Sequence, residues 1–338
     1  MSKRSERKEE HLALAQMFFN KQKENSFDQM HLLRPTLPES KVDQASIRTS
    51  FLGKEVSAPF FIEAMTGGSE KSKKINRQLG SVAAKENIAL ALGSASILVK
   101  ENEQLSSFTV AREQDPDGLL FANVNPLTPA SDAAKIVQEL QADALQIHLN
   151  VVQEAAMPEG ERDFCWLNNM LEIRQAVTVP IIIKEVGFGF DQASLKKLKD
   201  AGFDLFDIGG MGGTNFAQIE NSRNQYNLSY LSSLGLPTVI TSLIAEKMQL
   251  DFFVSGGVRN PLDVLKGLAL GGKLVGIANT FLQQLMQHDT EGLIEEIQEW
   301  KKELAILLAV FGKNDVNSLS SLKRYYDLPL KNQIDQII

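Results

Sequence analysis

Eight short apolar runs alternate with longer amphipathic stretches along this chain, and that alternation limits the folds it can adopt. In chain order the runs are APFFIEAM, IALALGS, GLLFANVN, ALQIHLN, VPIIIKEVG, DLFDIGG, DFFVSGG and KLVGIAN. Near-continuous apolar strands separated by helices indicate a parallel sheet whose outer face is covered by those helices. Eight such strands are the number needed to close a barrel. The pattern therefore predicts a (β/α)8 TIM barrel.

The segment LPTVITSLIAEKMQ competes for a place as a ninth strand, because it begins with β-branched residues. Pro237 suits a first helical turn, and SLIAEKMQ keeps helical spacing better than strict alternation. We therefore predict a helix between the sixth and seventh strands. Residues 1–55 are predicted to form an N-terminal extension and residues 290–338 C-terminal helices, so that residues 1–338 make one domain.

Composition and charge exclude several classes of protein. The formal net charge of the 338 residues is -7, whereas nucleic-acid binding favours a basic face. No apolar run is long enough to span a bilayer, and the N-terminus lacks the apolar core of a secretory signal. Cys165 is the single cysteine, so a disulfide framework is excluded and a reducing cytoplasm is expected. We expect a small-molecule substrate, with no nucleic-acid or membrane partner.

The predicted strands end in small or polar residues, and in TIM barrels these ends build the active site. The side chains placed there include Thr66, Ser94, Asn123, His148, Lys184, Thr214, Ser255 and Asn279. Any one of them could be polar for solubility alone. Lys184 differs, because an ammonium at the inner end of VPIIIK is costly to bury without an anionic partner. We predict a functional role for Lys184.

Glycine-rich turns predict a phosphate site. SGGVR follows the seventh strand and precedes a helix near Pro261, which brings free backbone N–H groups and a positive helix end together. TIM barrels often hold phosphate with the loops after strands seven and eight. GGMGGT supplies a further glycine turn after the sixth strand. The turn EAMTGG after the first strand fits either close backbone approach to a ligand or an ordinary tight turn.

The stretch HLNVVQE can present an imidazole, two amides and a carboxylate from one loop, namely His148, Asn150, Gln153 and Glu154. Magnesium typically takes one or two carboxylates together with waters and ligand phosphates. Glu154 is therefore the metal candidate, with a solvated surface charge as the alternative. The basic cluster KRSERK at 3–8 could likewise bind an anion or be a solvated terminus.

With these motifs in view, the chain resembles the type 2 isopentenyl-diphosphate delta-isomerases. These flavin-dependent enzymes of isoprenoid synthesis interconvert isopentenyl and dimethylallyl diphosphate. RKEEHL, MTGG and HLNVVQE together carry the resemblance, and the similarity runs over nearly the whole chain. It implies reduced FMN at the barrel mouth as acid and base for a 1,3-allylic proton transfer, NADPH or NADH to reduce it, and Mg²⁺. A homo-oligomer, from dimer to octamer, is also expected.

The resemblance also implies roles for individual residues. Flavin contacts would come from Ala64, Met65, Thr66, Ser94, Asn123, Lys184 and Thr214, with the flavin phosphate on Gly256, Gly257 and Arg259 and with Ala278 and Asn279 closing the site. Substrate diphosphate would meet Arg7, Lys8, His148, Asn150 and Gln153, and Glu154 would hold Mg²⁺. The catalytic candidates are Lys184, His148 and Gln153. Lys184 would stabilise negative charge on the reduced ring, and a direct acid–base role for His148 stays open beside diphosphate binding. The KRSERK segment would then act as a lid over an anion.

Two rival interpretations use the same fold. Another FMN barrel would want a His–Arg pair, if a hydroxy-acid oxidase, or a nucleophilic cysteine in a strand-end loop, if a nucleotide-type dehydrogenase. Cys165 is predicted to lie on a helix, which disfavours the second. A non-catalytic flavin- or phosphate-binding protein is the other rival. Flavin binding alone would not require Arg7, Lys8, Gln153 and Glu154.

Overall fold

The N-terminal extension lies outside the barrel and contains one helix and three short strands. A computed structural model describes residues 3–338, with side chains from Glu6 onward, so the first three side chains of the KRSERK cluster lie outside the described part of the chain. The elements of the extension are α1 (Lys3–Met17), β1 (Met30–Leu32), β2 (Thr49–Phe51) and β3 (Lys54–Val56). β2 and β3 pair as an antiparallel hairpin, which leads directly into the barrel.

Eight parallel strands close into a barrel, as predicted from the eight apolar runs. They are β4 (Phe60–Ile62), β5 (Leu90–Ala91), β6 (Leu120–Val124), β7 (Ala144–Leu149), β8 (Ile181–Glu185), β9 (Leu205–Asp207), β10 (Asp251–Ser255) and β11 (Val275–Ile277). Each strand pairs with its neighbour in the chain, and β11 pairs with β4 to complete the circle. The (β/α)8 prediction is therefore confirmed.

Helices cover the outside of the barrel and connect its strands. They are α2 (Glu70–Glu86), α3 (Ser106–Gln114), α4 (Ala130–Leu140), α5 (Val151–Ala156), α6 (Leu167–Ala176), α7 (Gln192–Asp200), α8 (Phe216–Arg223), α9 (Thr238–Lys247), α10 (Pro261–Ala269) and α11 (Asn279–Val310). α9 lies between the sixth and seventh barrel strands, so the helical prediction for that segment is confirmed. No helix within residues 3–338 combines the length and apolar character needed to cross a lipid bilayer.

The helical position predicted for Cys165 is wrong. Cys165 is exposed and lies in coil just before α6 begins at Leu167. The Asp163 side chain accepts the Cys165 backbone N–H at 2.9 Å, and the Asp163 carbonyl accepts the indole N–H of Trp166 at 2.9 Å. Such a local turn competes with helical hydrogen bonding, which explains the later helix start.

Side chains alternate along the barrel strands, so that every second residue points into the barrel. Phe61, Phe121 and Phe253 form a buried apolar layer near the N-terminal ends of the strands, together with Ile182. Phe51 of the β2–β3 hairpin packs against two of these rings, with centroids 5.9 and 5.0 Å away. The hairpin therefore closes the bottom of the barrel.

Two residues further along the same strands, the inward positions become polar. The buried side chains there are Glu63, Asn123, Lys184, Asp207 and Ser255. The apolar layer fills the barrel near the N-terminal ends of the strands, and the polar layer lies near their C-terminal ends. An active site built on the strands is therefore expected at the C-terminal ends.

The C-terminal segment contains a strand as well as the predicted helices. After α11, which is kinked at Asp289, come β12 (Arg324–Tyr326) and α12 (Leu328–Ile337). β12 pairs antiparallel with β1 of the N-terminal extension, so Met30 lies opposite Tyr326. Three residues are too few for a distinct alternation in sequence, and the pairing depends on a partner almost 300 residues away.

Candidate active site

A cleft opens at the C-terminal ends of the barrel strands and contains about 1340 Å³ of space, its open mouth included. Nine of the predicted flavin-site residues line it, namely Ala64, Met65, Lys184, Thr214, Gly256, Gly257, Arg259, Ala278 and Asn279. The N-terminal helix α1 and the segment after it contribute a wall that includes His11, Phe18 and Phe19. The strand ends and the extension therefore enclose one space.

Glycines at one end of the cleft allow two turns to pack closer than side chains would permit. A Cβ on Gly256 would lie 2.0 Å from the Gly210 carbonyl oxygen, and Gly256 has φ +101°. A Cβ on Gly213 would lie 2.7 Å from the Gly257 nitrogen. The GGMGGT and SGGVR turns are therefore in direct backbone contact, which only glycine allows.

The same end of the cleft presents a helix N-terminus. α11 begins at Asn279, and its N-cap residue Ala278 provides no side-chain cap. Uncapped N–H groups and the positive helix end attract phosphate. The glycine turns and this helix end together fit the phosphate of FMN.

Arg259 lines the cleft, but its guanidinium is held by two carboxylates. Asp28 accepts from Nη2 at 2.7 Å, and Asp263 accepts from Nε at 2.9 Å. Asp28 belongs to the N-terminal extension and Asp263 to α10. Arg259 therefore joins the extension to the barrel beside the predicted flavin phosphate site.

Lys184 is buried and lies between two buried carboxylates. Its Nζ is 2.8 Å from Asp207 Oδ2 and 3.1 Å from Glu63 Oε2. Burial alone would lower the pKa of Lys184, but the charges of Asp207 and Glu63 outweigh it and raise the pKa above its usual range. Burial, followed by the Asp207 charge, raises the pKa of Glu63 to about 8. The anionic partner expected for Lys184 is therefore this pair.

A line of hydrogen bonds runs from this pair across the barrel mouth. Glu63 Oε1 accepts from the Gln146 amide at 3.2 Å, and Gln146 Oε1 accepts from the Asn123 amide at 2.9 Å. Asn123 Oδ1 lies 2.7 Å from Nδ1 of His148. Burial, then the charges of Lys184 and Lys8, lower the pKa of His148 to about 4. His148 is thus neutral at physiological pH and connected to Lys184.

The HLNVVQE residues gather at the start of α5. Asn150 donates to Gln153 Oε1 at 3.2 Å and to Glu154 Oε1 at 3.1 Å. Gln153 in turn donates to Glu220 Oε1 at 3.0 Å, and His11 of α1 lies 2.8 Å from the same oxygen. These contacts fix the orientation of the Gln153 amide and connect it to the N-terminal helix.

The residues described in the two preceding paragraphs do not line the cleft, apart from Lys184, Glu63 and His11, and neither do the predicted site residues Arg7, Lys8, Thr66 and Ser94. Arg7 contacts Met157 Sδ at 3.3 Å and Glu159 at 3.4 Å. Lys8 donates to the Ser94 carbonyl at 2.7 Å. The Thr66 hydroxyl is buried and lies 2.6 Å from that of Ser72.

Glu154 offers a single carboxylate for a metal. Its Oε2 accepts the Glu161 backbone N–H at 2.7 Å, and its side chain is half-buried. Among the described residues, no group of three or more His, Cys, Asp or Glu side chains is placed to hold an ion. A Mg²⁺ ion on Glu154 would take its other ligands from water and a bound diphosphate, which is its usual coordination in phosphate sites.

Sequence reasoning missed four buried polar residues of this site, namely Glu63, Gln146, Asp207 and Glu220. The first three could have been found, because each lies on a barrel strand or just beyond it, two positions from an inward apolar residue. Glu220 lies on α8, and no strand pattern points to it.

Comparisons with known proteins find relatives over nearly the whole chain. Residues 100–324 match the model of the FMN-dependent dehydrogenase family. The isopentenyl-diphosphate delta-isomerase of Limosilactobacillus reuteri is 39% identical over 95% of this chain and 94% of its own. That of Staphylococcus haemolyticus is 38% identical over 98% of this chain and 96% of its own.

Solved structures share the fold at low sequence identity. A flavocytochrome b2 superposes with TM-score 0.66 at 17% identity, covering 96% of this chain and 88% of its own. A mandelate oxidase superposes with TM-score 0.63 at 12% identity, covering 94% and 91%. With these relatives, the barrel and the motifs, the chain belongs to the FMN-dependent, type 2 isopentenyl-diphosphate delta-isomerase family.

Proposed function

We propose that this chain interconverts isopentenyl diphosphate and dimethylallyl diphosphate, with FMN kept reduced by NADPH and with Mg²⁺ bound to the substrate diphosphate. The observation that carries the proposal is the connection between the glycine-rich cleft and His148. Lys184 lines that cleft and is joined to His148 through Glu63, Gln146 and Asn123. A flavin site and a diphosphate site can therefore share one mouth.

The reaction moves a double bond by adding a proton at one carbon and removing one at another. Reduced FMN, if held by the cleft residues, would supply the acid and the base for this proton transfer. Lys184 contributes a fixed positive charge, because its ion pairs hold the protonated form. A preorganised charge in a buried site stabilises negative charge far better than one in water.

The diphosphate would be held at the opposite side of the mouth. His148 of β7, the α5 N-cap residue Asn150 and Gln153 of α5 offer polar groups, and Arg7 and Lys8 belong to α1. Glu154 follows in the same helix and would hold Mg²⁺ against the phosphate oxygens. Gln153, oriented by Glu220, is the side chain placed to position the reacting end.

An isomerisation assay tests the proposal. The purified protein is loaded with FMN, reduced, and supplied with Mg²⁺ and isopentenyl diphosphate, and product is followed by proton NMR in D₂O. We expect dimethylallyl diphosphate and deuterium in the exchangeable allylic positions. An FMN-loaded, reduced protein that forms no product and incorporates no deuterium would contradict the proposal.

A matched pair of histidine variants shows whether the activity belongs to this mouth. His148→Gln should weaken binding of the diphosphate substrate and raise KM. His31→Gln is the control, because His31 lies in β1 and stacks on Tyr325 with ring centroids 4.9 Å apart. Equal effects of the two substitutions would contradict the placement of the diphosphate.

A reducing cytoplasmic location and a homo-oligomer stay predictions. Localisation of the tagged protein would check the first, and light scattering the second.

A further inference from the structure

The hydrogen bonds that connect His148 to Glu63 have a defined donor and acceptor at each step. Glu63 Oε1 accepts the Ala64 backbone N–H at 2.6 Å and also accepts from Gln146. Gln146 therefore turns its nitrogen to Glu63 and its oxygen to Asn123. Asn123 in turn uses its nitrogen on Gln146 and its oxygen on His148. An amide oxygen can only accept a hydrogen bond, so Nδ1 of His148 must donate.

A neutral imidazole that carries its hydrogen on Nδ1 has a lone pair on Nε2. The charged groups facing this ring are Lys184 from β8 and Lys8 from α1, and both are cations that disfavour a second proton. Asn123 on β6 contributes no charge. At neutral pH the half-buried ring therefore presents a hydrogen-bond acceptor to an incoming ligand. Phosphate oxygens are acceptors too, and two acceptors form no hydrogen bond without a proton between them.

We propose that Glu63, Gln146 and Asn123 are positioning residues that hold His148 as the Nδ1–H tautomer, and that a diphosphate binding at Nε2 takes up one proton from solvent. That proton lies between Nε2 and a phosphate oxygen, and no other bond changes. The identity of the ligand rests on the proposed function. The class of ligand selected at this position is a phosphate anion that binds together with a proton.

The tautomer can be measured directly, because the chain has only four histidines. We would label the FMN-bound holoenzyme with ¹⁵N-histidine, record two-bond ¹H–¹⁵N correlations at about pH 8, and assign His148 from the His148→Gln spectrum. We expect the Nδ1–H pattern for His148, and an Nε2–H pattern would overturn the proposal. Gln146→Met should give a mixture of tautomers, because Asn123 is then free to turn over. An unmixed Nδ1–H signal in that variant would refute the positioning role.

Proton uptake is measured by calorimetry with dimethylallyl diphosphate or inorganic pyrophosphate in two buffers of different ionisation enthalpy. We expect close to one proton per site for the wild type and close to none for His148→Gln. No uptake by the wild type would overturn the proposal. Asn123→Asp gives His148 an anionic partner that favours the charged ring. Proton uptake by this variant should fall towards zero while pyrophosphate still binds. Unchanged proton uptake would contradict the positioning role of Asn123.

The outcomes separate this inference from the proposed function. An active isomerase that binds diphosphate without proton uptake refutes the inference alone. A protein without isomerase activity, but with the Nδ1–H tautomer and with uptake on binding pyrophosphate, refutes the proposed function alone. If Asn123→Asp or Gln146→Met fails to fold or to retain FMN, the wild type and His148→Gln still decide.

Discussion

The two sides of the barrel mouth are built from different parts of the chain. The side formed by the strand ends of β9 to β11 consists of glycine backbone and a helix end, with turns so close that a Cβ on Gly256 would clash. The side formed by β6, β7 and α5 consists of amide, imidazole and carboxylate side chains that orient one another. Lys184, between two carboxylates, lies where they meet. A backbone site is fixed by local turns, whereas a side-chain site depends on contacts between distant strands.

Removing the charge between the two sides should have the largest effect. Lys184→Met should lower kcat by about 10²–10³-fold, the loss typical of a single preorganised electrostatic group. It should also destabilise the fold by about 3–5 kcal/mol, because two buried carboxylates lose their cation. Steady-state kinetics and urea denaturation measure the two effects.

The control for this charge is Lys196→Met. Lys196 forms an exposed pair with Asp200 on α7, so its loss should change neither quantity measurably. Near-normal turnover by an FMN-loaded Lys184→Met protein would show that the junction between the two sides is structural only.

The side of the mouth that is built from glycine backbone should lose FMN affinity when one methyl group is added. Gly256→Ala places a Cβ 2.0 Å from the Gly210 carbonyl oxygen at φ +101°, so the turn must shift. Overpacking of this kind costs about 1–3 kcal/mol, which corresponds to roughly five- to 150-fold weaker FMN binding if the whole cost falls on the bound state. Fluorescence titration of FMN measures the change.

Gly53→Ala is a matched control for the positive φ. Gly53 has φ +78° in the β2–β3 turn, and a Cβ there meets nothing within 4 Å. It should lose stability through backbone strain but bind FMN normally. If both alanine variants bind FMN equally well, the close packing of the glycine turns is not needed for the cofactor.

The side-chain side should fail more selectively. Glu154→Gln removes the carboxylate proposed for Mg²⁺ and keeps a side chain that can still accept from Glu161. We expect Mg²⁺-dependent binding of dimethylallyl diphosphate to weaken by at least about tenfold, with FMN binding unchanged. Calorimetry at limiting Mg²⁺ measures this, and Glu161→Gln, which changes a half-buried carboxylate in the loop after α5, is the control. Full activity of Glu154→Gln at limiting Mg²⁺ would remove Glu154 from the metal site.

The smallest expected effect is a pH dependence of stability to which Glu185 on β8 and His148 on β7 contribute with opposite signs. Burial raises the pKa of Glu185, which lines the cleft, from 4.5 to about 8. The folded state therefore keeps a proton that the unfolded state releases, and stability falls as pH rises through that window. The pKa of His148 is lowered from 6.5 to about 4, so stability is lost as pH falls through that lower window.

Each group changes stability by at most about 1.4 kcal/mol per pH unit. Glu185→Gln should flatten the dependence near pH 7.5, since a glutamine oxygen can still accept the Phe188 and Gly189 N–H groups. His148→Gln should remove the gain of stability with rising pH that His148 contributes near pH 5.5, and leave the opposing contribution of Glu185. Urea denaturation at both pH values measures the slopes. An unchanged slope near pH 7.5 in Glu185→Gln, or near pH 5.5 in His148→Gln, would contradict the assignment.

The same contrast explains what could be predicted from sequence. The eight strands, α9 and the glycine turns were predicted because their patterns are local and periodic. The need of Lys184 for an anionic partner was also predictable, since a buried ammonium is costly. Glu63 and Asp207 could be recognised as inward polar residues, but their pairing with Lys184 could not, because both reach Lys184 only once the barrel closes. β12 and the coil at Cys165 were missed for related reasons, a distant pairing partner and a local turn.

The small sheet of β1 and β12 ties the two chain ends together on the outside of the barrel. Residues 18–29 connect α1, which forms a wall of the cleft, to β1, and β1 is held in place by its pairing with β12 near the C-terminus. This short connection keeps α1 at a high local concentration over the barrel mouth. Placing the helix over the mouth therefore costs less entropy than it would for a terminal segment that is anchored nowhere. Deleting the last fifteen residues, which include β12, would therefore weaken the attachment of α1 to the proposed substrate site and leave every barrel strand in place.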